Sequence, residues 1–510
     1  MQFNSYIFIL CFLPITLLGY FGLHHFQKEK LAQSFLLLMS LWFYGYFNIG
    51  YLPIICASIL VNYGAYRFMN KKGIQEGAKK LLLTLVLLFN VGLIFYFKYF
   101  DFFIDNINHV FNADFVLRNI TLPLGISFFT FQQISFIVDA YRGEAVGYSF
   151  IEYALFVSFF PQLVAGPIVL HSELVPQFRD EVRRHVNFDN LSQGIMMFAR
   201  GLAKKILIAD TFGGAVDIAI SKASEIAVGE GALTRAEIII LMLSYTFQIY
   251  FDFSGYSDMA TGLGQMFNLK IPMNFNSPYK ALSVADFWKR WHMTLTRFLT
   301  TYIYIPLGGN RKGKARTYLN TMIVFLVSGI WHGASWTFIL WGILHGIAQC
   351  FNKLTSGIYK KVFGAAEGIS GAFGKVVCGL IKAVQWIVTF AFLNVTWLLF
   401  RADSVTMWVQ ILKRLFVLNL DVREDILENF RIPKFRYVLQ ILRLPANDNM
   451  ALWAGLILIM LAALLICLLF PNNYERTYKR NVVSLVFTWV ILVICIISLS
   501  SVSTFLYFNF

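Results

Sequence analysis

Charge is what this chain has little of. Only 14% of its 510 residues are charged, where a soluble domain carries nearer a quarter. That deficit excludes an ordinary water-soluble globule. Acidic residues are the scarcer sign, 28 against 43 Lys and Arg, for a formal net charge of +15. Proline occurs 12 times and cysteine six. Cys11, Cys56, Cys350, Cys378, Cys467 and Cys495 lie in or beside apolar runs with no metal or redox spacing. They read as small core residues, so metal and disulfide chemistry have no support. The chain also lacks tandem repeats and low-complexity linkers. Its opening MQFNSYIFIL carries no basic residue ahead of the apolar run, so it is expected to be a first span and not a signal peptide.

What it has is apolar sequence of membrane-spanning length. Apolar residues make up 58% and aromatics 17%, with a mean hydropathy of +0.62. Runs such as Ile7–Gly22, Phe35–Phe47, Leu52–Met69, Leu81–Tyr99, Ile238–Phe251, Val384–Phe400, Ala451–Phe470 and Val482–Leu499 predict an all-α polytopic membrane protein of roughly ten to twelve spans. The basic excess does not point to nucleic acid. Lys28, Lys30, Lys71, Lys72, Lys79, Lys80, Arg476, Lys479 and Arg480 sit in short loops between spans, the positive-inside pattern. That pattern places the N-terminus outside, those loops in the cytoplasm and the C-terminus outside.

Three textures divide the chain. Residues 1–112 are ordinary spans with basic loops. In 113–352 the apolar runs are broken by Gly, Pro, Asn, Asp, Ser and His. In 353–510 plain spans return around a mixed-charge stretch at 419–449, which reads as a solvated, partly helical face. Broken helices survive at membrane depth only where protein buries them or where they line a watery cavity. The middle region is therefore expected to hold the chemistry.

Within it, SGIWHGASW (Ser328 to Trp336) sets His332 in an otherwise lipid-like run. Sixteen residues separate Arg316 from His332, about 24 Å of helix against a hydrocarbon core of about 30 Å. The helix is expected to stop short of the outer face, with Gly329 and Gly333 allowing a bend and the next segment descending toward Lys353. His332 has two readings: a neutral imidazole that takes the proton of a hydroxyl attacking a thioester carbonyl, or a satisfied core histidine. Upstream, Ser283 with Asp286 suggests a capped start to a helix carrying Trp288, His292 and Thr296 on one face. By itself His292 reads equally as an interfacial residue. His345 reads as structural, in the last turn of its helix. The loop after Gly309, with Arg311, Lys312 and Lys314, marks the cytoplasmic side and carries the right charge for the phosphates of an acyl donor. Arg290 joins those candidates.

A second cluster places Asp252, Ser254, Tyr256 and Asp258 within seven residues. Carboxylates beside a span must be paired, hydrogen-bonded or wetted, so these read as cavity lining, as do Asn276, Trp291 and Trp331. The GLG at 262–264 follows no strand and lacks a Walker lysine, so it is no phosphate loop. Phe160-PQLVAGPIV reads as a broken helix end.

In order along the chain stand FDFSGYSDMA, NFNSPY, DFWKRWHMTLTRFL, YIPLGGNRKG, SGIWHGASW and LWGILHG, with PLGISFFTFQQISFIVDAYRG and FFPQLVAGPI upstream. This set resembles the bacterial branch of the membrane-bound O-acyltransferase (MBOAT) family, which includes components of alginate O-acetylation and of D-alanyl transfer to teichoic acid. The resemblance covers at least residues 121–350. It implies that His332 is catalytic and that His292 assists, and it implies a ring of tilted helices with short, broken and re-entrant ones around a central tunnel. It also implies an acyl, most simply acetyl, transfer from a cytoplasmic thioester to an extracytoplasmic hydroxyl. The donor would be acetyl-CoA or an acyl carrier thioester, with no tightly bound cofactor and no metal. The partners would be the bilayer of the bacterial inner membrane, an extracytoplasmic acyltransferase or esterase-like protein, and a polysaccharide or cell-wall polymer as final acceptor. A cytoplasmic carrier protein would take part if the group were D-alanine. Length and the terminal FLYFNF lie closer to the acetylation type. A polymer or ion transporter is the remote alternative, and it lacks the duplicated halves usual in that class.

Overall fold

The computed structural model describes residues 1–224, 232–432, 439–441, 447–476, 481–500 and 505–506. Lys479, Arg480, much of the mixed-charge stretch from 433 to 446 and most of FLYFNF therefore lie outside the described residues. Among those described, the secondary structure is helical throughout, with no strand. Among the described residues six helices are long and apolar enough to cross a membrane: Phe8–His25, Ile49–Met69, Glu76–Phe111, Arg235–Met266, Gly371–Arg401 and Asp448–Leu469. Contacts divide the chain into two units, neither continuous in sequence.

The first unit comprises Met1–Ala203, Gly255–Asn274 and Thr477–Phe510. Its centre is a knot of phenylalanines, with the Phe43 ring 5.5 Å from Phe3, 5.8 Å from Phe8 and 5.5 Å from Phe160. Several polar side chains that the helices bury are paired. Asn62 and Asn90 exchange amide hydrogen bonds of 3.2 and 2.8 Å, and His171 lies between Asp139 (3.1 Å) and the Tyr148 hydroxyl (2.8 Å). Pairing of this kind lets a polar group survive in an apolar interior. The expected break near Phe160 is present. The Phe150–Ser158 helix stops, Phe159 turns the chain with ψ at 112°, and the short Phe160–Leu163 turn follows.

The second unit comprises Lys204–Ser254 and Phe275–Arg476. Its main feature is an antiparallel pair, Lys314–His332 and Trp336–Glu367. The pair is drawn close by small residues: a Cβ on Gly342 would meet the Phe325 carbonyl oxygen at 2.5 Å, and one on Gly329 would meet that of Phe338 at 2.4 Å. Gly329 thus packs two backbones together and does not bend the chain, as helix pairs in membranes commonly do with glycine. Two further expectations are corrected. His345 does not sit in a last turn, because the helix runs on to Glu367, with Gly346 packed against Met322 and Phe325 and not acting as a stop. Arg423, expected on a solvated face, instead grips the buried carboxylate of Glu237 through its backbone N–H (3.0 Å), Nε (2.9 Å) and Nη2 (3.1 Å).

The close helix pair makes a test of packing. Gly342→Val is expected to lower the thermal midpoint in detergent by the equivalent of about 1–3 kcal/mol, the usual cost of forcing extra atoms into a filled interface. Gly357→Val on the same helix, with nothing within 4 Å, should leave the midpoint in place. Equal midpoints for the two variants would refute the packing argument.

Candidate functional site

His332 is the last residue of its helix, as the spacing from the basic loop suggested. Gly333 follows in extended conformation, and Ser335 caps the next helix by accepting from the Thr337 N–H at 3.3 Å. The imidazole is buried at 4% exposure. Three rings surround it edge-on, with centroids 5.0 Å away at Trp331, 5.2 Å at Trp341 and 5.0 Å at Phe400. Trp331 was expected from sequence; Trp341 and Phe400 were not. Phe400 comes from the Gly371–Arg401 helix, too far along the chain for any local pattern to indicate.

His292 differs from expectation in its backbone. The continuous helix predicted from Ser283 is broken into Val284–Trp288 and Met293–Leu299. Ser283 does cap the first piece, accepting from the Asp286 N–H at 3.0 Å. His292 then takes a left-handed conformation, φ 45° and ψ 52°, of the sort that costs roughly 1–3 kcal/mol for a residue other than glycine and persists only when its surroundings hold it. Its fully buried ring meets Phe253 edge-on at 4.9 Å and lies 6.1 Å from Trp331. Both histidines therefore approach the one Trp331 indole. Trp288 and Thr296 remain together despite the break, the Thr296 hydroxyl donating to the Trp288 carbonyl at 3.3 Å.

His345 is structural, as the sequence suggested. Its Nδ1 accepts from Trp288 Nε1 at 3.1 Å, and its Nε2 lies 3.1 Å from the Thr396 hydroxyl. An indole N–H only donates, so Nδ1 must be the bare nitrogen, and Nε2–H donates to Thr396.

Beside these rings lies a cavity of about 310 Å³. Trp288, Leu295, Thr296, Thr321, Phe325 and Ser328 form much of its wall, and Lys289 and Lys353 supply its cations. Lys353 is held there by a 2.7 Å hydrogen bond to the Thr321 hydroxyl and stands 5.4 Å from the Tyr304 ring centre. From Thr321 to Ser328 the cavity follows the helix for about 10 Å, and His332 is one turn, about 6 Å, beyond. Of the donor-phosphate candidates, Arg290 is bound to Asp286 at 3.0 Å, and Arg311, Lys312 and Lys314 are exposed. None of the four is on the cavity wall. Sequence reasoning missed Lys289, Lys353 and Ser328, although Ser328 opens the motif that drew notice to His332.

The remaining candidates are buried. The Arg235–Met266 helix runs straight through FDFSGYSDMA. Within the second unit, Asp252 is paired with Lys205 at 2.7 Å, and the same ammonium reaches Asp210 at 2.9 Å. Lys205, only 2% exposed and set in a π-helical turn, Lys204–Ala209, is the partner that sequence could demand but not name. Ser254 is buried with its hydroxyl unbonded. Trp291 packs against Phe275 and Trp397, both at 4.9 Å, and Asn276 accepts from Asn472 at 3.3 Å. Within the first unit, Tyr256 stacks on Phe3 at 4.8 Å, and Asp258 is 6% exposed. Among the described residues no group of His, Cys, Asp and Glu is arranged to hold a metal ion.

A buried imidazole at a helix end, a second one held on the same indole, and an adjoining cavity with cations on its wall suit general-base chemistry on a bound substrate. Comparison with known proteins identifies the family of the chain. Residues 34–400 match the membrane-bound O-acyltransferase family. The chain is 42% identical over 444 residues to a peptidoglycan O-acetyltransferase of Helicobacter pylori, covering 82% of this chain and 80% of that protein. It is 35% identical over 410 residues to a probable alginate O-acetylase AlgI of Pseudomonas aeruginosa, covering 79% and 73%. A teichoic acid D-alanyltransferase of Streptococcus thermophilus is 28% identical over 236 residues, 45% of this chain and 56% of that one. This multi-pass membrane protein is an acyltransferase and belongs to the membrane-bound O-acyltransferase family.

Proposed function

We propose that the protein moves an acetyl group from a cytoplasmic acetyl-CoA thioester to a hydroxyl on the far side of the inner membrane, for O-acetylation of a cell-wall polymer. In this reading ten to twelve spans ring a thinned centre with a tunnel, and both termini face outward. The single observation that carries the proposal is the cavity that runs from Lys353 and Thr321 along the Lys314–His332 helix and ends one turn from His332. Its volume lies at the lower end of the range for ligand pockets, suited to a slender thioester arm, with the nucleotide part left to the basic loop at Arg311, Lys312 and Lys314.

The chemistry needs no co-reactant. His332 accepts the proton of the attacking hydroxyl as the acyl carbon gains a C–O bond; the C–S bond breaks, and the proton passes from the imidazole to the departing thiolate. His292, which also approaches Trp331, orients the acceptor. A polymer reaches such a site through an extracytoplasmic partner whose serine carries the acetyl group onward. Peptidoglycan is the polymer favoured, from the name of the 42% identical relative; alginate-type exopolysaccharide comes next.

The similarity to a D-alanyltransferase keeps a second donor in view. Purified protein in vesicles, given labelled acetyl-CoA or a D-alanyl carrier protein together with acceptor, decides between them. Label arriving from acetyl-CoA is the expected result. Label from the carrier alone would replace the donor, and flux of polymer or ion without any donor would replace the enzyme with a transporter.

A further inference from the structure

The hydroxyls on the cavity wall differ in one respect. A serine or threonine inside a helix ordinarily donates to the carbonyl a turn earlier. Thr300 does so to Thr296 at 2.7 Å and Thr321 to Thr317 at 2.8 Å, while Thr296 donates to Trp288 at 3.3 Å. Ser328 does not. Its side chain is 2% exposed, its Oγ has no hydrogen-bond partner, and it lines the end of the cavity nearest His332. A buried hydroxyl without a partner costs about 1–3 kcal/mol. On the wall of a cavity, a ligand can supply the missing acceptor.

We propose that Ser328 Oγ–H donates a hydrogen bond to the carbonyl oxygen of the donor's acyl group. This deepens the function proposed above and rests on it. The position suits that role, because Ser328 and His332 are one turn apart on one helix face. As the hydroxyl attacks, negative charge develops on that oxygen, and a donor already in place stabilises it without reorganisation. Val324 and Phe325, one turn earlier on the same helix and also on the wall, offer only apolar side chains.

The test uses two non-reactive donor analogues. One is a ketone in which a methylene replaces the sulfur of acetyl-CoA, keeping the carbonyl; the other is S-ethyl-CoA, which lacks it. Ser328→Ala is expected to weaken binding of the ketone about fivefold to tenfold and to leave S-ethyl-CoA within about twofold. It should lower kcat about 10²-fold, with Ser328→Thr restoring most of the loss. An equal change for both analogues, or no change for the ketone, overturns the role of Ser328 while leaving the donor reading intact. If neither analogue binds the unaltered protein, the reading of the cavity falls first and the serine with it. Thermal midpoints of both variants establish that they fold.

Discussion

Replacing His332 by alanine lowers acceptor acetylation about 10³-fold, the middle of the range for loss of a positioned general base. One feature of the structure sharpens that expectation. His332 ends its helix, so its replacement disturbs no later turn of the Lys314–His332 segment. Folding should therefore persist while chemistry is lost. The measurement is transfer from labelled acetyl-CoA by detergent-purified variant, with its thermal midpoint recorded beside that of the unaltered protein. If the cavity holds the donor, as proposed, binding of S-ethyl-CoA should stay within a few fold, because His332 is not on its wall. Undiminished transfer by a folded variant would remove His332 from the reaction, and the buried, aromatic setting would then mark a core histidine.

The second large effect is on stability. Lys205→Met takes away the ammonium shared by Asp252 and Asp210, at 2.7 and 2.9 Å. Lys205 and Asp252 are each only 2% exposed. Breaking a buried pair from one side typically costs about 3–5 kcal/mol, because the abandoned charge cannot recover its hydration. The variant should unfold many degrees lower in detergent or fail to accumulate in membranes. Lys205→Met combined with Asp252→Leu removes both charges of the more buried pair and should regain much of that loss. A double variant no better than the single one would show that the pair acts independently of its partner charge, contrary to the geometry.

Some of the local backbone around the candidate site was readable in advance, for a reason that differs from residue to residue. The end of the helix at His332 followed from a basic loop, a count of residues and a glycine, all local signals. The broken segment at Phe160 and the cap at Ser283 were local too. The face predicted for Trp288, His292 and Thr296 was another matter. A period of 3.6 assumes unbroken helical backbone, and His292 leaves that conformation, so the spacing described a helix that the chain does not form. Surrounding aromatic packing, and not propensity, holds that turn.

Sequence alone determined that this chain is helical and membrane-embedded, because the apolar content and the length of its runs allow nothing else in water or in lipid. It indicated as well the helix end at His332, though it misplaced one at His345. Tertiary structure alone decided what surrounds that histidine: Trp341 and Phe400 against the ring, a cavity ending at Ser328, and Lys205 between Asp210 and Asp252. Phe400 and Asp252 come from helices far along the chain from their partners. Periodicity tells which face of a helix is buried, but packing chooses the partner, and burial of an ion or a hydroxyl has meaning only once that partner is known.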